Sequence, residues 1–345
     1  MNTTADNMWE NRPVVIWLGL VTLMVFAMIT VGGITRLTDS GLSMVEWRPL
    51  MGILPPMTDA EWGRVFDLYR QSPEYQKINA GMSLAEFKWI FFWEYLHRVL
   101  GRLIGLAFAL PLLVFALRRR LPQGYRWRFL ILLGLGAAQG GIGWWMVKSG
   151  LVDNPYVSQY RLATHLGMAL TILGVLVWTI ADLVYGRAGA PRGHVAGVIG
   201  ILAITIVAGA FVAGMNAGLI YNEYPLMGGQ FIPIEYGFYG AMDAFENPAS
   251  AQFHHRWLAV IAALGVVSLW FRARKHGLIV PAFVMLVVVG CQFLLGVFTL
   301  LYQVPVSLGT WHQAGAAALL ITVLWVAHGL TRAPKISYPV NCPPA

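Results

Sequence analysis

Charged residues are scarce in this chain. They make up 12% of its 345 residues, whereas hydrophobic residues make up 57%, and the mean hydropathy is positive. So few charges exclude an ordinary soluble domain and indicate a polytopic helical membrane protein. A net charge of +8 would suggest a nucleic-acid partner in a soluble protein, but here the basic residues cluster in short loops between apolar runs. We therefore expect membrane lipid, and no nucleic acid, as the partner of this surface.

Cysteine is almost absent as well. The chain has two, Cys291 inside an apolar run and Cys342 in the C-terminal tail, and they form no closely spaced motif. The sequence therefore predicts neither a structural disulfide nor a thiol redox pair.

Long apolar runs, by contrast, are abundant. Eight segments are long enough, or nearly so, to cross a hydrocarbon core of about 30 Å as helices. We call them span one to span eight, and the sequence places them at 14–33, 89–117, 129–147, 162–181, 195–213, 252–271, 278–302 and 311–330. The predicted fold class is an all-α polytopic membrane protein with eight transmembrane helices.

Lysine and arginine are unevenly shared between the loops. The loops after spans two, four and six carry clusters of them, whereas the loop 214–253 and the loop after span seven carry none. This bias predicts that both termini are cytoplasmic. The long loops 34–88 and 214–253 then face the periplasm or its equivalent.

Two capping-box patterns lie in the loop 34–88. One runs from Thr58 to Glu61 and the other from Ser83 to Glu86. The second predicts the helical start of span two, and the first predicts a short helix at the membrane surface. The apolar face predicted for that helix consists of Trp62, Val65, Phe66 and Tyr69.

The two halves of the chain carry matching motifs in the same order, and both halves start on the same side of the membrane. This pattern predicts a parallel tandem repeat of two four-helix bundles, with boundaries at 1–185 and 186–345. The matched positions are Gly32-Gly33 with Gly209-Ala210, Glu94 with Gln252, His97-Arg98 with His255-Arg256, Gln139 with Gln292, Gly143 with Gly296, and Thr164-His165 with Trp311-His312.

The repeat selects four of the eight histidines: His97, His165, His255 and His312. All lie early in even-numbered spans, which places them in the outer half of the bilayer. Paired histidines on facing helices of a four-helix unit are typical axial ligands of a haem iron. Structural imidazoles and a zinc site are the alternatives, but the matched pairs favour haem and no third close ligand suits zinc. The remaining histidines at the cytoplasmic side are interpreted as interfacial: His194, His276 and His328.

Charged residues beside these histidines differ between the halves. Glu94 lies three residues before His97 and so shares its helix face, whereas the matched position holds Gln252. Glu94 either pairs with Arg98 or serves as a carboxylate beside one haem only. In the second case, one half would catalyse a reaction and the other would hold a permanent haem. Five arginines near the outer interface are predicted partners of haem propionates, with snorkelling to lipid headgroups as the alternative: Arg36, Arg98, Arg102, Arg161 and Arg256.

At these positions the chain resembles the haem A synthase family, of the alphaproteobacterial and mitochondrial type. The resemblance covers 32–38, 40–43, 46–49, 55–56 and 86–88 around the first loop, 94–95, 97–98 and 101–102 in span two, and 213–214, 217–218, 221–222 and 225–227 at the second loop. It implies an enzyme that oxidises the ring-position-8 methyl group of haem O to a formyl group, giving haem A for cytochrome oxidase.

The resemblance also assigns roles. It implies that His97 and His165 hold the substrate haem O, that His255 and His312 hold haem b, and that Glu94 is the essential catalytic carboxylate. It implies delivery of haem O by haem O synthase. One branch of the family carries a cysteine pair in the first outer loop; this chain has none there, so a mechanism using that disulfide is not expected.

A second function fits composition and histidine spacing nearly as well: a di-haem b-type cytochrome that carries electrons between quinol and an acceptor. The Glu94/Gln252 asymmetry and the loop motifs favour the enzyme. The sequence names no electron-transfer partner. Glycine-rich faces are compatible with packing between chains, and hence with a homo-oligomer.

Overall fold

The computed structural model describes residues 4–46, 54–150 and 157–332, and within these ranges the regular secondary structure is helical. This confirms the all-α prediction. Residues 47–49 of the first-loop motif, the C-terminal tail and Cys342 lie outside the described residues.

Among the described residues, eight helices are long and apolar enough to cross a membrane, as predicted. They run over Asn11–Leu37, Leu84–Leu117, Arg126–Lys148, Gln159–Tyr185, Gly193–Gly214, Pro248–Lys275, Ile279–Leu301 and Val306–Thr331. Most extend several residues beyond the predicted apolar run. Span two begins at Leu84 rather than at residue 89 because Ser83 caps it: the Glu86 N–H donates to Ser83 Oγ at 3.3 Å, and the Ser83 N–H donates to Glu86 Oε2 at 2.8 Å.

The spans pack around a shared apolar core. Span one contacts spans two, four and eight; span four also contacts spans three, five and eight; and spans five to eight contact one another in sequence order. Fully buried side chains from five spans meet in this core, Leu18, Leu173, Val266, Met285 and Val323. Spans one, four, five and eight therefore join the two halves of the chain.

The loop 34–88, which we call the first outer loop after its predicted side of the membrane, folds onto the start of span two. The predicted surface helix is present at Asp59–Arg70 with its Thr58/Glu61 capping box, and Phe66 and Tyr69 on it are buried. They pack with Phe87 and Phe91 of span two, while Trp62 and Val65 are partly buried against the same cluster. A second short helix, Pro73–Lys77, follows; it is too short for hydrophobic periodicity to predict.

The loop 214–253, which we call the second outer loop, consists of turns, two short 3₁₀ segments at Ala217–Leu219 and Gly240–Met242, and the helix Asp243–Glu246. Asp243 organises it. Its carboxylate accepts the N–H of Gly237 at 2.8 Å and of Tyr239 at 3.1 Å, and the hydroxyl of Ser250 at the start of span six. The loop is thereby fixed against the outer end of span six.

Candidate functional site

Each of the four predicted histidines lies against a glycine of the preceding span. The imidazole occupies the space that a side chain at the glycine would fill, so the pairing of small residue and ring fixes where the ring points. The distances from an ideal Cβ on the glycine to the histidine Cε1 are 3.1 Å for Gly32 and His97, 3.0 Å for Gly143 and His165, 2.8 Å for Gly209 and His255, and 2.8 Å for Gly296 and His312.

In the second half, the structure brings His255 and His312 together. Their ring centroids are 6.3 Å apart, with an angle of 82° between the ring planes. Two imidazoles that bind one metal ion from opposite sides, with metal–nitrogen bonds of about 2.0 Å as in zinc sites, have ring centres about 6 Å apart. His255 Nδ1 is 3.0 Å from the Thr205 carbonyl oxygen. An Nδ1–H donated there leaves Nε2 for the metal.

In the first half, His97 and His165 are half-buried and within electrostatic range of each other. Their Nδ1 atoms are buried and have no hydrogen-bond partner among the described residues. Such nitrogens are costly unless a bound group or ligand satisfies them. In the described ranges no three or more His, Cys, Asp or Glu side chains gather into a metal site. The donor set is therefore paired imidazoles, which suits haem.

A glutamine supports one histidine in each half, a contact that the sequence did not reveal. Gln139 Nε2 donates to the His165 carbonyl oxygen at 3.1 Å and lies 3.4 Å from the ring Nε2. Gln292 Nε2 donates to the His312 carbonyl oxygen at 3.0 Å and lies 3.2 Å from the ring Nδ1. The available signal was the repeated spacing of glutamine four residues before the glycine that contacts the ring.

Glu94 is almost completely buried, with 3% of its surface exposed. Its Oε2 accepts the Ser43 hydroxyl and the Met44 N–H, each at 2.7 Å, and its Oε1 accepts Arg98 Nη2. The same nitrogen of Arg98 donates to the Met44 carbonyl oxygen at 3.1 Å. The ion pair that the spacing allowed is therefore present, and together the two residues hold the first outer loop against span two.

The matched positions in the second half hold the second outer loop. Gln252 Nε2 donates to the Tyr221 carbonyl oxygen at 3.0 Å. Arg256 donates to the carbonyl oxygens of Tyr221 at 2.8 Å, Glu223 at 2.8 Å and Leu226 at 2.9 Å. The anchoring is equivalent to that in the first half, but among the described residues the acceptors are backbone carbonyls rather than a carboxylate.

Comparison with known proteins identifies the family. The family described as cytochrome oxidase assembly protein matches residues 15–324. The chain is 47% identical over 335 residues to a haem A synthase of Paramagnetospirillum magneticum, covering 93% of this chain and 95% of that protein. It is 45% identical over 335 residues to that of Nitrosospira multiformis, covering 93% and 94%. The chain belongs to the haem A synthase family. These matches give no support to the electron-carrier alternative.

Within this haem A synthase family member, the remaining predicted arginines have defined positions. Arg36 donates to the Ala213 carbonyl oxygen at 2.7 Å and to Asn216 Oδ1 at 2.8 Å, and so joins the outer ends of spans one and five. Arg161 donates to the Trp145 carbonyl oxygen at 2.7 Å, and Arg102 is half-buried on span two. None of these contacts tests a propionate role, which stays a prediction.

One interpretation from the sequence is wrong. His328 is not interfacial but fully buried, with 1% exposed. Its Nε2 lies 2.9 Å from Asp182 Oδ1, and Arg128 Nη1 lies 2.6 Å from Asp182 Oδ2. The three side chains tie spans three, four and eight together at the opposite ends of these helices from the haem-ligand candidates. A partner 146 positions away leaves no local signal in the sequence.

Proposed function

We propose that this chain oxidises the ring-position-8 methyl group of haem O to a formyl group, producing haem A for cytochrome oxidase. One observation carries the proposal. Two histidine pairs are held by matching glycine contacts, and among the described residues the helix position three before the first histidine of each pair holds a buried carboxylate, Glu94, in the first half and an amide, Gln252, in the second. The relatives named haem A synthase support the same reaction.

The proposal includes a tandem repeat with halves 1–185 and 186–345, arranged as two parallel four-helix bundles. The helix neighbours support it. Span one packs against span eight and span five packs against span four, so the first span of each half contacts the last span of the other. The glycine–histidine contacts recur in the same chain order. A pseudo-twofold axis along the membrane normal would relate the halves through the contact between spans four and eight.

We assign the substrate haem O to His97 and His165, and a resident haem b to His255 and His312. Glu94 supports this assignment because a reacting group belongs beside the substrate. The ring spacing of His255 and His312 supports a firmly ligated haem in the second half. A bound haem b supplies electron transfer between the substrate site and a redox partner outside the chain.

Glu94 is the proposed proton acceptor. With water as the oxygen source, conversion of the methyl group to a formyl group takes up one water molecule and releases four electrons and four protons. The electrons pass to the redox partner outside the chain, and the protons require a base near that carbon. Arg98, the Ser43 hydroxyl and the Met44 N–H stabilise the ionised carboxylate and fix its orientation. The loop carrying Ser43 and Met44 covers this carboxylate and separates it from bulk water.

The orientation and partners complete the proposal. Both termini are cytoplasmic, the chain lies in the bacterial inner membrane, and the haem sites lie toward the periplasmic side. Haem O synthase supplies the substrate. A homo-oligomer is compatible with span three, where a Cβ on any of four glycines would have no neighbour within 4 Å, namely Gly134, Gly136, Gly140 and Gly141.

Pigment extraction tests the function. Cells that make haem O but no haem A should accumulate haem A when they express this chain. The di-haem carrier would instead give membranes with a haem b spectrum and unchanged haem O. If the chain is present in the membrane with bound haem b and the extract contains haem O but no haem A, the enzyme proposal is wrong.

A further inference from the structure

The second outer loop contains a segment, residues 231–239, that exposes large apolar side chains at unusual density. We call it the outer apolar segment. Its exposed members are between 41% and 70% accessible: Phe231, Ile232, Ile234, Tyr236, Phe238 and Tyr239. An exposed apolar patch of this kind marks an interaction surface with lipid or with another protein.

The segment lies beside span six rather than above it. The Phe231 ring centroid is 4.6 Å from that of Trp257, and the Tyr236 centroid is 5.1 Å from that of Phe253. Span six ends in a basic cluster that begins at Arg272. Counting about 20 residues back from there, the length that crosses the hydrocarbon core, reaches residue 252. The contacted turn 253–257 therefore lies at the outer edge of the hydrocarbon core, and the segment lies at that depth.

The segment also continues a lipid-facing stripe. Ile261, Leu264 and Phe271 are all more than half exposed and lie on one face of span six. Trp257 precedes Ile261 by one turn on this face, and Phe231 stacks on Trp257. From Leu264 to Trp257, the apolar surface of span six therefore continues into the outer apolar segment.

The polar groups of the segment are directed inward. Its one charged residue, Glu235, accepts the Tyr221 hydroxyl at 2.5 Å. Five consecutive backbone N–H groups, from residue 236 to residue 240, donate to acceptors within the loop. Non-helical backbone at membrane depth persists where its hydrogen bonds are satisfied internally, and the N–H groups of 236–240 meet that condition.

We propose that the outer apolar segment is immersed in the outer leaflet and contacts lipid acyl chains, which makes the second outer loop a membrane-embedded flap on the proposed haem b half. The exposed tyrosines Tyr236 and Tyr239 fit the headgroup boundary, where aromatic rings with a polar tip are enriched. A second copy of the chain is the competing occupant. The depth of the segment and its continuity with the stripe of span six favour lipid.

Spin labels in proteoliposomes test this. In the full chain with Cys291→Ser and Cys342→Ser, a nitroxide is attached at Phe238→Cys or Ile234→Cys, and its collisions with oxygen and with a water-soluble nickel chelate are compared. Leu264→Cys on span six serves as the lipid-exposed control, and Met57→Cys in the first loop serves as the water-exposed control; both side chains are highly exposed. An unchanged far-UV circular dichroism spectrum and a single gel-filtration peak in detergent show that each labelled protein is folded.

We expect the oxygen-to-nickel ratio at residues 234 and 238 to match that at residue 264 and to exceed that at residue 57 by a wide margin. A ratio like that at residue 57 overturns the proposal, since the segment would then lie in water. Low collision rates with both reagents also overturn it and identify a protein partner. Neither outcome bears on haem chemistry, so the test is independent of the proposed function.

Discussion

The two halves anchor their outer loops from the same two helix positions but with different chemistry. In the first half, Glu94 and Arg98 form an ion pair that also binds Ser43 and Met44. In the second, Gln252 and Arg256 reach backbone carbonyls only. A neutral amide therefore suffices to hold a loop at this position.

The charge at position 94 consequently needs another explanation than anchoring. In the second half Arg256 keeps its charge and is held by backbone carbonyl oxygens, so the scaffold can be built without a carboxylate at this helix position. A carboxylate at the matched position of one half is what a proton-transfer role in that half would require.

The largest expected effect separates the histidine pairs. His255→Ala or His312→Ala should abolish the low-spin haem b absorbance of the purified protein, because each removes one of two rings that are 6.3 Å apart. His97→Ala should retain it. His254→Ala is the matched control, since His254 Nε2 lies 3.0 Å from the Tyr236 hydroxyl. Loss of haem b in His97→Ala but not in His255→Ala would exchange the roles of the halves.

Glu94→Gln makes the first half resemble the second. The amide oxygen can still accept from Ser43 and Met44, but the proton acceptor is gone. Haem b absorbance should be unchanged, while haem A production should fall by about a hundredfold or more, the usual contribution of a general base.

Ser43→Ala is the control for anchoring. It removes one hydrogen bond to Glu94 and leaves the carboxylate in place. We expect haem A production in Ser43→Ala to stay within a few-fold of wild type. If both variants lost activity equally, Glu94 would act by holding the loop; if Glu94→Gln kept full activity, it would have no part in the reaction.

A smaller effect is expected at the glycines of the second half. Gly209→Ala and Gly296→Ala each place a methyl group 2.8 Å from a histidine Cε1. Overpacking of this kind costs about 1–3 kcal/mol, so haem b content per protein should fall and its spectrum shift.

Gly200→Ala on span five and Gly290→Ala on span seven are matched controls, because a Cβ at either has no neighbour within 4 Å. Their haem b content should equal that of wild type. Identical haem b content in all four variants would show that the glycines do not determine the ring positions.

The sequence predicted much of this architecture because the signals are local. Apolar length gave the eight spans, and the capping boxes at Thr58 and Ser83 gave two helix starts. The backbone acceptors of Arg98 and Arg256 were not predictable, because a carbonyl oxygen has no residue signature. Glycine is common in membrane helices for close packing, so composition alone did not show that Gly32 or Gly209 faces a histidine.

The last comparison changes stability rather than haem binding, and it concerns two buried acids that the sequence did not single out, one in each outer loop. Glu74 is 3% exposed, and burial raises its pKa to about 8; the hydroxyl of Tyr69 opposes the shift, whereas the charges of Glu94 and Asp39 add to it. Burial alone would raise the pKa of Asp243 too, but hydrogen bonds from Ser250 and Asn247 lower it to about 2. One loop therefore holds a protonated acid and the other a carboxylate at neutral pH.

The two acids should give opposite pH dependences of stability. A raised folded-state pKa means that the folded protein binds more protons than the unfolded chain. The stability linked to Glu74 is therefore complete below its ordinary pKa of 4.5 and falls as pH rises toward about 8, by up to about 1.4 kcal/mol per pH unit.

Glu74→Gln should remove this loss and raise the Tm of the detergent-solubilised protein near pH 9 but not near pH 4. Asp243→Asn should lower Tm at both, because Asp243 is ionised in the fold down to about pH 2. Asp67→Asn, at a side chain 67% exposed, is the control and should leave Tm unchanged. Wild-type and Glu74→Gln curves that run parallel across this range would mean that Glu74 is ionised in the folded protein.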